Sequence, residues 1–155
     1  MATIVKKSIY VDAAPQKIFD FLIDPTNLPS IWPSLIEVKD IVDLPNGGHR
    51  YAWLYKMGGI QFKGISEDII MQPGRMIRAQ VEGEITASIE WLIEADGNRS
   101  QVTLTSEYSV PLRVVGRMAE AIIKRMNDHE AELIVYNLMF VMQDIDKLSA
   151  ELGMS

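Results

Sequence analysis

The sequence contains no cysteine, which excludes disulfide bridges, thiolate metal sites and cysteine nucleophiles together. Histidine is scarce as well, because His49 and His129 are the only imidazoles in the chain. No nucleophile–base pair, metal-ligand cluster or paired-carboxylate motif stands out at sequence level. The sequence therefore predicts neither a metal site nor a cofactor.

Basic residues are also less frequent than acidic ones. Lys and Arg total 15 against 21 Asp and Glu, the formal net charge is -6, and no basic cluster interrupts that average. These charges predict that the protein has no nucleic-acid partner. No stretch approaches the ~18 apolar residues of a membrane span, and residues 1–7 lack a secretion signal. We therefore expect no integral membrane segment and a cytoplasmic location.

What the chain does contain is typical of one compact domain. Its 155 residues are 48% hydrophobic and 23% charged, which leaves little room for a second core. The 10 glycines and 7 prolines are scattered at apparent turns and form no linker. We expect residues 1–155 to fold as a single domain.

Alternating patterns and turn chemistry predict seven strands, six of them consecutive. The first covers residues 3–11, where Val5, Ile9 and Val11 share one face. Pro15 then suits a first helical turn, so a helix of about ten residues is predicted to end before Pro25. A helical turn and a bend follow at 27–33. The later strands are predicted at 35–44, 50–57, 60–71, 76–82, 85–94 and 101–109.

The residues after Pro111 have the composition of a long helix. From 114 to 152 there is no proline, and Gly116 is the one glycine. At about 1.5 Å per residue this helix would extend roughly 50 Å. Its apolar stripe drifts around the axis, which predicts that the sheet wraps around the helix.

One local stretch carries a family resemblance. It runs VDAAPQKIFDFL over residues 11–22, DPTNLP over residues 24–29 and WPS over residues 32–34. This resembles the opening of the polyketide cyclase/dehydrase and lipid-transport group, in the START-like, birch-pollen-allergen-like (SRPBCC) superfamily. The resemblance implies an α+β helix-grip fold, in which a seven-stranded curved antiparallel sheet wraps around a long C-terminal helix, with two short helices between strands one and two. Because the superfamily has no common catalytic motif, the resemblance implies no active site.

The predicted strands gather large aromatic side chains on one face. Tyr51, Trp53 and Tyr55 share a face, while Arg50 and Lys56 share the other. A curved sheet closing on a helix either fills its interior or leaves a pocket. Each inward residue is therefore an ordinary core residue or part of a cavity. Several buried Tyr and Trp favour the cavity, because their polar atoms need partners there.

On the terminal helix, His129 and Glu130 lie close to the phase of Met126 and Leu133. One of the two is expected to reach the cavity, and the alternative is exposure to solvent. A cavity is predicted beneath Leu133. A buried His129 or Glu130 would need hydrogen bonds and would orient the polar end of a ligand.

The candidate ligand-binding residues fall into three groups. Some point inward from a strand, one lies just before strand two, and the others lie on the same face of the terminal helix as Met126 and Leu133. The candidates are Trp32, Tyr51, Trp53, Tyr55, Phe62, Ile89, Trp91, Leu104, Ser106, Tyr108, Met126, His129, Glu130, Leu133 and Asn137. The facing of Glu67, Asp68 and Arg78 stays open, because Gly64 suggests a bulge that would reverse the alternation.

Three functions fit these features. The leading hypothesis is binding or transport of a small hydrophobic molecule, such as a lipid, a quinone or a polyketide-like aromatic, in the internal cavity. The alternative is a polyketide cyclase, aromatase or dehydratase acting in the same cavity, with Tyr51, Tyr108 and His129 as candidates to move protons. A completely packed interior would instead favour an interaction module acting through the outer face of the sheet.

Overall fold

A computed structural model describes residues 3–109, 127–143 and 151–153. Its seven strands form one antiparallel sheet in the order β1-β7-β6-β5-β4-β3-β2, which confirms the predicted sheet. The elements are β1 Thr3–Val11, α1 Pro15–Ile23, a 3-10 helix Pro25–Ser30, β2 Leu35–Asp43, β3 His49–Met57, β4 Ile60–Gln72, β5 Met76–Gly83, β6 Thr86–Asp96 and β7 Arg99–Ser109. Residues 127–143 are helical and are called here the C-terminal helix.

Short turns connect the strands from β2 to β7, as the sequence predicts. Between β3 and β4, Gly58 and Gly59 have φ values of 61° and 78°. Two consecutive residues with positive φ form the two-residue turn that matches the twist of a hairpin, and glycine takes that conformation without steric cost.

Helix α1 is short and amphipathic. Pro15 occupies its first turn, and its buried face consists of Ile18, Phe19 and Leu22. This face packs against β5 and β6. The 3-10 helix that follows is capped by Asp24, whose Oδ1 accepts a hydrogen bond from the backbone N–H of Thr26 at 3.0 Å.

A bulge interrupts the pairing of β4 with β5, although not at Gly64. The register shifts between Asp68 and Ile70, whereas Gly64 pairs regularly with Trp53. The expected bulge at Gly64 is therefore wrong. Glycine serves a different purpose there, which is to let the Trp53 ring lie against the backbone.

This register settles three side chains whose facing the sequence leaves open. Asp68 is buried, Glu67 is exposed, and Arg78 lies between the buried residues Ile77 and Ala79. Arg78 therefore faces away from the core, where its Nη2 pairs with Oε1 of Glu90 on β6 at 2.8 Å.

The C-terminal helix packs against the sheet with one face. Its buried apolar side chains belong to the same core cluster as the inward residues of β1 and β3–β7, and its opposite face exposes apolar side chains. The buried ones are Ala131, Ile134, Val135, Leu138 and Met142, and the exposed ones are Leu133, Tyr136 and Phe140. Of the helix predicted from 114 to 152, residues 114–126 and 144–150 lie outside the described residues.

Candidate functional site

A cavity of about 120 Å³ lies between the inner face of the sheet and the C-terminal helix. An engineered apolar cavity of about 150 Å³ binds benzene, so this space suits a small ring. The lining residues are Val5, Leu28, Trp32, Leu35, Tyr51, Trp53, Tyr55, Ser66, Val81, Ile85, Ala87, Ile89, Leu104, Ser106, Tyr108, Asn127, Glu130, Ala131 and Ile134.

Nine of the residues predicted from the sequence line this cavity. Eight of them come from the strands or from the bend before β2, and Glu130 comes from the C-terminal helix. They are Trp32, Tyr51, Trp53, Tyr55, Ile89, Leu104, Ser106, Tyr108 and Glu130. Whether they bind a ligand stays a prediction.

Three predicted residues lie in the surrounding structure and not in the cavity wall. Phe62 is fully buried in the core. Trp91 is buried too and meets Trp32 edge-on, with ring centroids 6.4 Å apart. Asn137 donates from Nδ2 to the backbone oxygen of Ile31 at 3.1 Å, which fastens the C-terminal helix to the bend before β2.

His129 and Leu133 do not face the cavity as expected, because they lie on the outer side of the C-terminal helix. His129 is exposed, and Leu133 is 38% exposed. Each precedes a lining residue, Glu130 or Ile134, and one residue turns the side chain by about 100° around the axis. The described residues therefore leave no cavity beneath Leu133, and Glu130, not His129, reaches the interior. Met126 lies outside the described residues.

Ten lining residues, most of them small or aliphatic, are not among the candidate ligand-binding residues, although the strand alternation already placed Ile85 and Ala87 on the inner surface. Ser66 and Val81 follow the alternation of their strands and could have been found from it. Ala87 and Ala131 contribute by being small, because a longer side chain at either position would occupy the space. The others are Val5, Leu28, Leu35, Ile85, Asn127 and Ile134.

A polar cluster formed by Ser34, Tyr55, Asn127 and Glu130 sits where the helix meets β3; we call it the helix-side cluster. The Tyr55 hydroxyl donates to Oε1 of Glu130 at 2.8 Å, and the Ser34 hydroxyl donates to Oε2. Oδ1 of Asn127 lies 3.2 Å from the same Tyr55 hydroxyl. A buried carboxyl group needs such partners, because burial without them is costly.

Burial changes the pKa values of two groups in the helix-side cluster. Burial raises the pKa of Glu130 above its ordinary value, although hydrogen bonds from Ser34, Tyr55 and Trp32 lower it in part. Burial also raises the pKa of Tyr55, and the Glu130 charge raises it further. Tyr55 therefore keeps its proton, and Glu130 is the group of this cluster whose protonation changes as pH falls.

A second polar cluster, formed by Tyr51, Ser66 and Asp68, lies toward the other end of β3; we call it the strand-side cluster. Burial raises the pKa of Tyr51 to about 12, a hydrogen bond from Ser66 lowers it, and the Asp68 charge raises it. Asp68 accepts from the backbone N–H of His49 at 2.8 Å. Tyr51 and Tyr55 are four residues apart on one face, or roughly 13 Å along the strand.

Trp53 occupies the wall between these two clusters. A Cβ built on Gly64 would lie 2.4 Å from Cζ2 of Trp53, so the indole rests directly on the glycine backbone. The indole Nε1 is buried and has no hydrogen-bond partner among the described residues. The ring therefore contributes apolar surface to the cavity.

Two features are absent from the part of the chain that the structure describes. No helix there is long and apolar enough to cross a bilayer. No group of three or more His, Cys, Asp or Glu residues within it is placed to hold a metal ion.

The sequence itself decides the family. Residues 2–134 match the family described as polyketide cyclase / dehydrase and lipid transport. The chain belongs to that family. Membership confirms the START-like, SRPBCC resemblance and assigns the chain to a hydrophobic-ligand-binding fold. No curated protein sequence matches the chain.

Several solved structures share the helix-grip fold of this polyketide cyclase/dehydrase and lipid-transport family member. TTHA0849 from Thermus thermophilus has a TM-score of 0.80 at 16% identity, covering 92% of this chain and 99% of that chain. The ZhuI aromatase/cyclase from Streptomyces sp. R1128 has a TM-score of 0.77 at 16% identity, covering 92% and 94%. A START superfamily protein from Mycobacterium smegmatis has a TM-score of 0.76 at 14% identity, covering 92% and 98%. At these identities the likeness shows the fold alone.

Proposed function

We propose that this protein binds or carries a small hydrophobic molecule of the lipid, quinone or polyketide-like aromatic kind in its internal cavity. The observation that carries the proposal is the cavity itself, which stays open although large aromatic side chains surround it. Protein interiors are normally packed to the density of organic crystals and contain few voids larger than a water molecule. An open space of about 120 Å³ is therefore more typical of a ligand-binding site than of an ordinary core. The family description agrees with this function.

The composition of the wall supports the same class of ligand. Aliphatic side chains such as Val81, Leu104 and Ile134 form much of it, and no lining residue of the described chain carries a positive charge. Apolar surface with a few placed polar groups is the usual construction of a small-molecule site.

A titration with toluene tests the proposal, because toluene is close in size to the space. We expect saturable binding of one toluene per chain, followed by calorimetry or by tryptophan fluorescence. Ala131→Leu should weaken this binding about tenfold or more, because the added carbons fill the cavity from its helix wall. Leu133→Phe is the matched control, since it adds bulk on the exposed side of the same helix.

Two results would contradict the proposal. One is the absence of saturable toluene binding to the wild-type protein. The other is equal binding by the wild type and Ala131→Leu, which would place any toluene elsewhere on the molecule.

A second function, catalysis in the same cavity, is favoured by the pairing of Glu130 with Tyr55. A buried carboxyl group that holds its proton more tightly than usual and touches a phenol is the kind of pair that moves protons in a cyclisation or a dehydration. Tyr51 and Tyr108 also line the cavity, while the exposed His129 no longer belongs to this set. The likeness to an aromatase/cyclase is consistent with this alternative. A cyclised or dehydrated product from a poly-keto substrate, absent with Glu130→Gln, would identify it.

A further inference from the structure

The sheet side of the cavity has a floor of small side chains between two tyrosines. Five inward residues follow one another across the sheet from β3 to β7, each paired with the next: Tyr51, Ser66, Val81, Ala87 and Tyr108. All five line the cavity. The three small residues lie on β4, β5 and β6, between the two large rings, and are called here the cavity floor. The cavity is therefore deepest where these three side chains are short.

The strands that carry the floor are held in place on both sides. Val81 lies on β5 and Ala87 on β6, and each of these strands is hydrogen-bonded to two neighbouring strands. Both residues are only 8% exposed, and both side chains face the cavity. In a closely packed interior a change of even one methylene group is felt. The side-chain size at these two positions therefore fixes how far the cavity reaches toward the sheet.

The space above the floor has the volume of one small ring. It measures about 120 Å³, whereas pockets for drug-sized ligands span roughly 300–1,000 Å³. Aromatic side chains such as Trp32, Trp53 and Tyr55 complete the wall, and aromatic pairs gain more than their buried area alone provides. This combination favours a planar ring and leaves little room for anything attached to it.

Two floor residues share one volume. Val81 is the largest of the three floor side chains, Ala87 is the smallest, and the two are direct cross-strand partners on the inner face. A carbon removed at one position and added at the other leaves the total volume of the floor unchanged.

We infer that Val81 and Ala87 together are the size-determining residues of the cavity, and that they limit its ligand to a single six-membered ring with a short substituent. This inference rests on the proposed binding function. It narrows the ligand of that function to single-ring compounds and excludes fused rings and long acyl chains.

A graded series of alkylbenzenes measures this limit. The probes are benzene, toluene, ethylbenzene and n-propylbenzene, and the quantity to compare is the member with the lowest Kd, determined by calorimetry. Each added carbon should tighten binding about fourfold while it finds room, and should weaken binding once it does not. For the wild type we expect the lowest Kd with toluene. Naphthalene, which adds a fused ring, should bind at least tenfold more weakly than toluene.

Variants of the two floor residues should move the preferred length in opposite directions. Val81→Ala removes two carbons from the floor, so the lowest Kd should shift to n-propylbenzene. Ala87→Val adds two carbons, so toluene should bind at least tenfold more weakly than to the wild type. The double variant Val81→Ala/Ala87→Val keeps the total volume and should return the preference to toluene.

Val102→Ala is the matched control for Val81→Ala. It removes the same two carbons from a fully buried position of β7 that is not part of the described cavity wall. Its preferred probe should stay toluene, although the variant loses core volume as well.

The possible results separate the size limit from the binding function. If no alkylbenzene binds the wild type, the proposed function fails and the size limit fails with it. If the series binds with the same preferred length in the wild type, Val81→Ala and Ala87→Val, the binding function stands and the role of the floor is overturned. An equal shift in Val102→Ala and Val81→Ala, or naphthalene binding as tightly as toluene, would overturn it too. Should Val81→Ala fail to fold, Ala87→Val and the double variant decide.

Discussion

Glu130 places a buried carboxyl group in a wall that is mostly apolar. Two hydroxyl groups, from Tyr55 and Ser34, donate to it, yet burial still raises its pKa above the ordinary value of 4.5. The loss of hydration therefore outweighs the hydrogen bonds that replace it. The folded protein consequently holds the Glu130 proton more tightly than the unfolded chain does.

This difference predicts a pH dependence of stability. Where the folded state binds more protons than the unfolded state, the free energy of unfolding falls as pH rises. The contribution of Glu130 is therefore lost between its ordinary value of 4.5 and its raised pKa. Glu130→Gln should remove up to about 1.4 kcal/mol per pH unit of this decline. Urea unfolding at a series of pH values from about 4.5 upward measures it.

Two further variants test whether the effect comes from the burial of the carboxyl group. Glu132→Gln removes the same formal charge from an exposed position and should retain the wild-type slope. Asp68→Asn should flatten the curve in the same sense as Glu130→Gln, because burial also raises the pKa of Asp68. An identical slope in wild type and Glu130→Gln would show that the carboxyl group does not titrate in this window.

At the residue scale, the sequence predicted the strand side of the site better than its helix side. Alternation has a period of two, so Tyr51, Trp53 and Tyr55 could be assigned to one face without knowing their neighbours. A helix turns by about 100° per residue, and an error of one residue moves a side chain from the wall to the solvent. That is why His129 and Leu133 were misplaced while Glu130, beside His129, was found.

At the scale of elements, turn chemistry made every strand end predictable to within two residues. The hairpin signals at Gly58 and Gly59 are local, so no tertiary information was needed there. The bulge was not predictable in the same way. The position of the bulge depends on which residues of β4 pair with which residues of β5. The register shift falls after Asp68, four residues beyond Gly64.

The pairing of two glycines explains how β4 and β5 meet behind the Trp53 ring. Gly64 of β4 is paired with Gly83 of β5. A Cβ on Gly64 would lie 2.2 Å from the backbone oxygen of Glu82 and 2.4 Å from the Trp53 ring, and a Cβ on Gly83 would lie 2.5 Å from the Gly64 Cα. None of these three contacts can be relieved by moving the end of a flexible side chain.

Gly64→Ala should therefore destabilise the protein by about 3 kcal/mol or more and displace the Trp53 ring from the cavity wall. Gly97→Ala is the control for a purely conformational cost. Gly97 has φ of 63° and nothing within 4 Å of a built Cβ, so the substitution should cost about 1–2 kcal/mol. Chemical unfolding and near-ultraviolet circular dichroism measure the two effects. Equal costs in the two variants would refute the steric role of Gly64.

At the scale of the whole molecule, the wall of the cavity is continuous with the main core. Its lining residues Tyr51, Leu104 and Ile134 belong to the same buried cluster as Ile18 and Leu22 of α1. A molecule bound in the cavity thus contacts surfaces that separate when the protein unfolds. Binding and global stability should be linked.

The last prediction uses this linkage. A ligand that binds only the folded protein stabilises it by RT ln(1 + [L]/Kd), which is about 2.7 kcal/mol at a free concentration of 100 times Kd. Toluene at that concentration should therefore raise the thermal midpoint of the wild type and of Leu133→Phe alike, measured by calorimetry. In Ala131→Leu the larger side chain fills the same space. The thermal midpoint of this variant should therefore respond weakly or not at all to the same toluene concentration. The variant itself should stay folded, because the new side chain occupies existing volume. An equal rise in all three proteins would mean that toluene stabilises them from somewhere other than this cavity, and no rise in the wild type would mean that the cavity is closed to it.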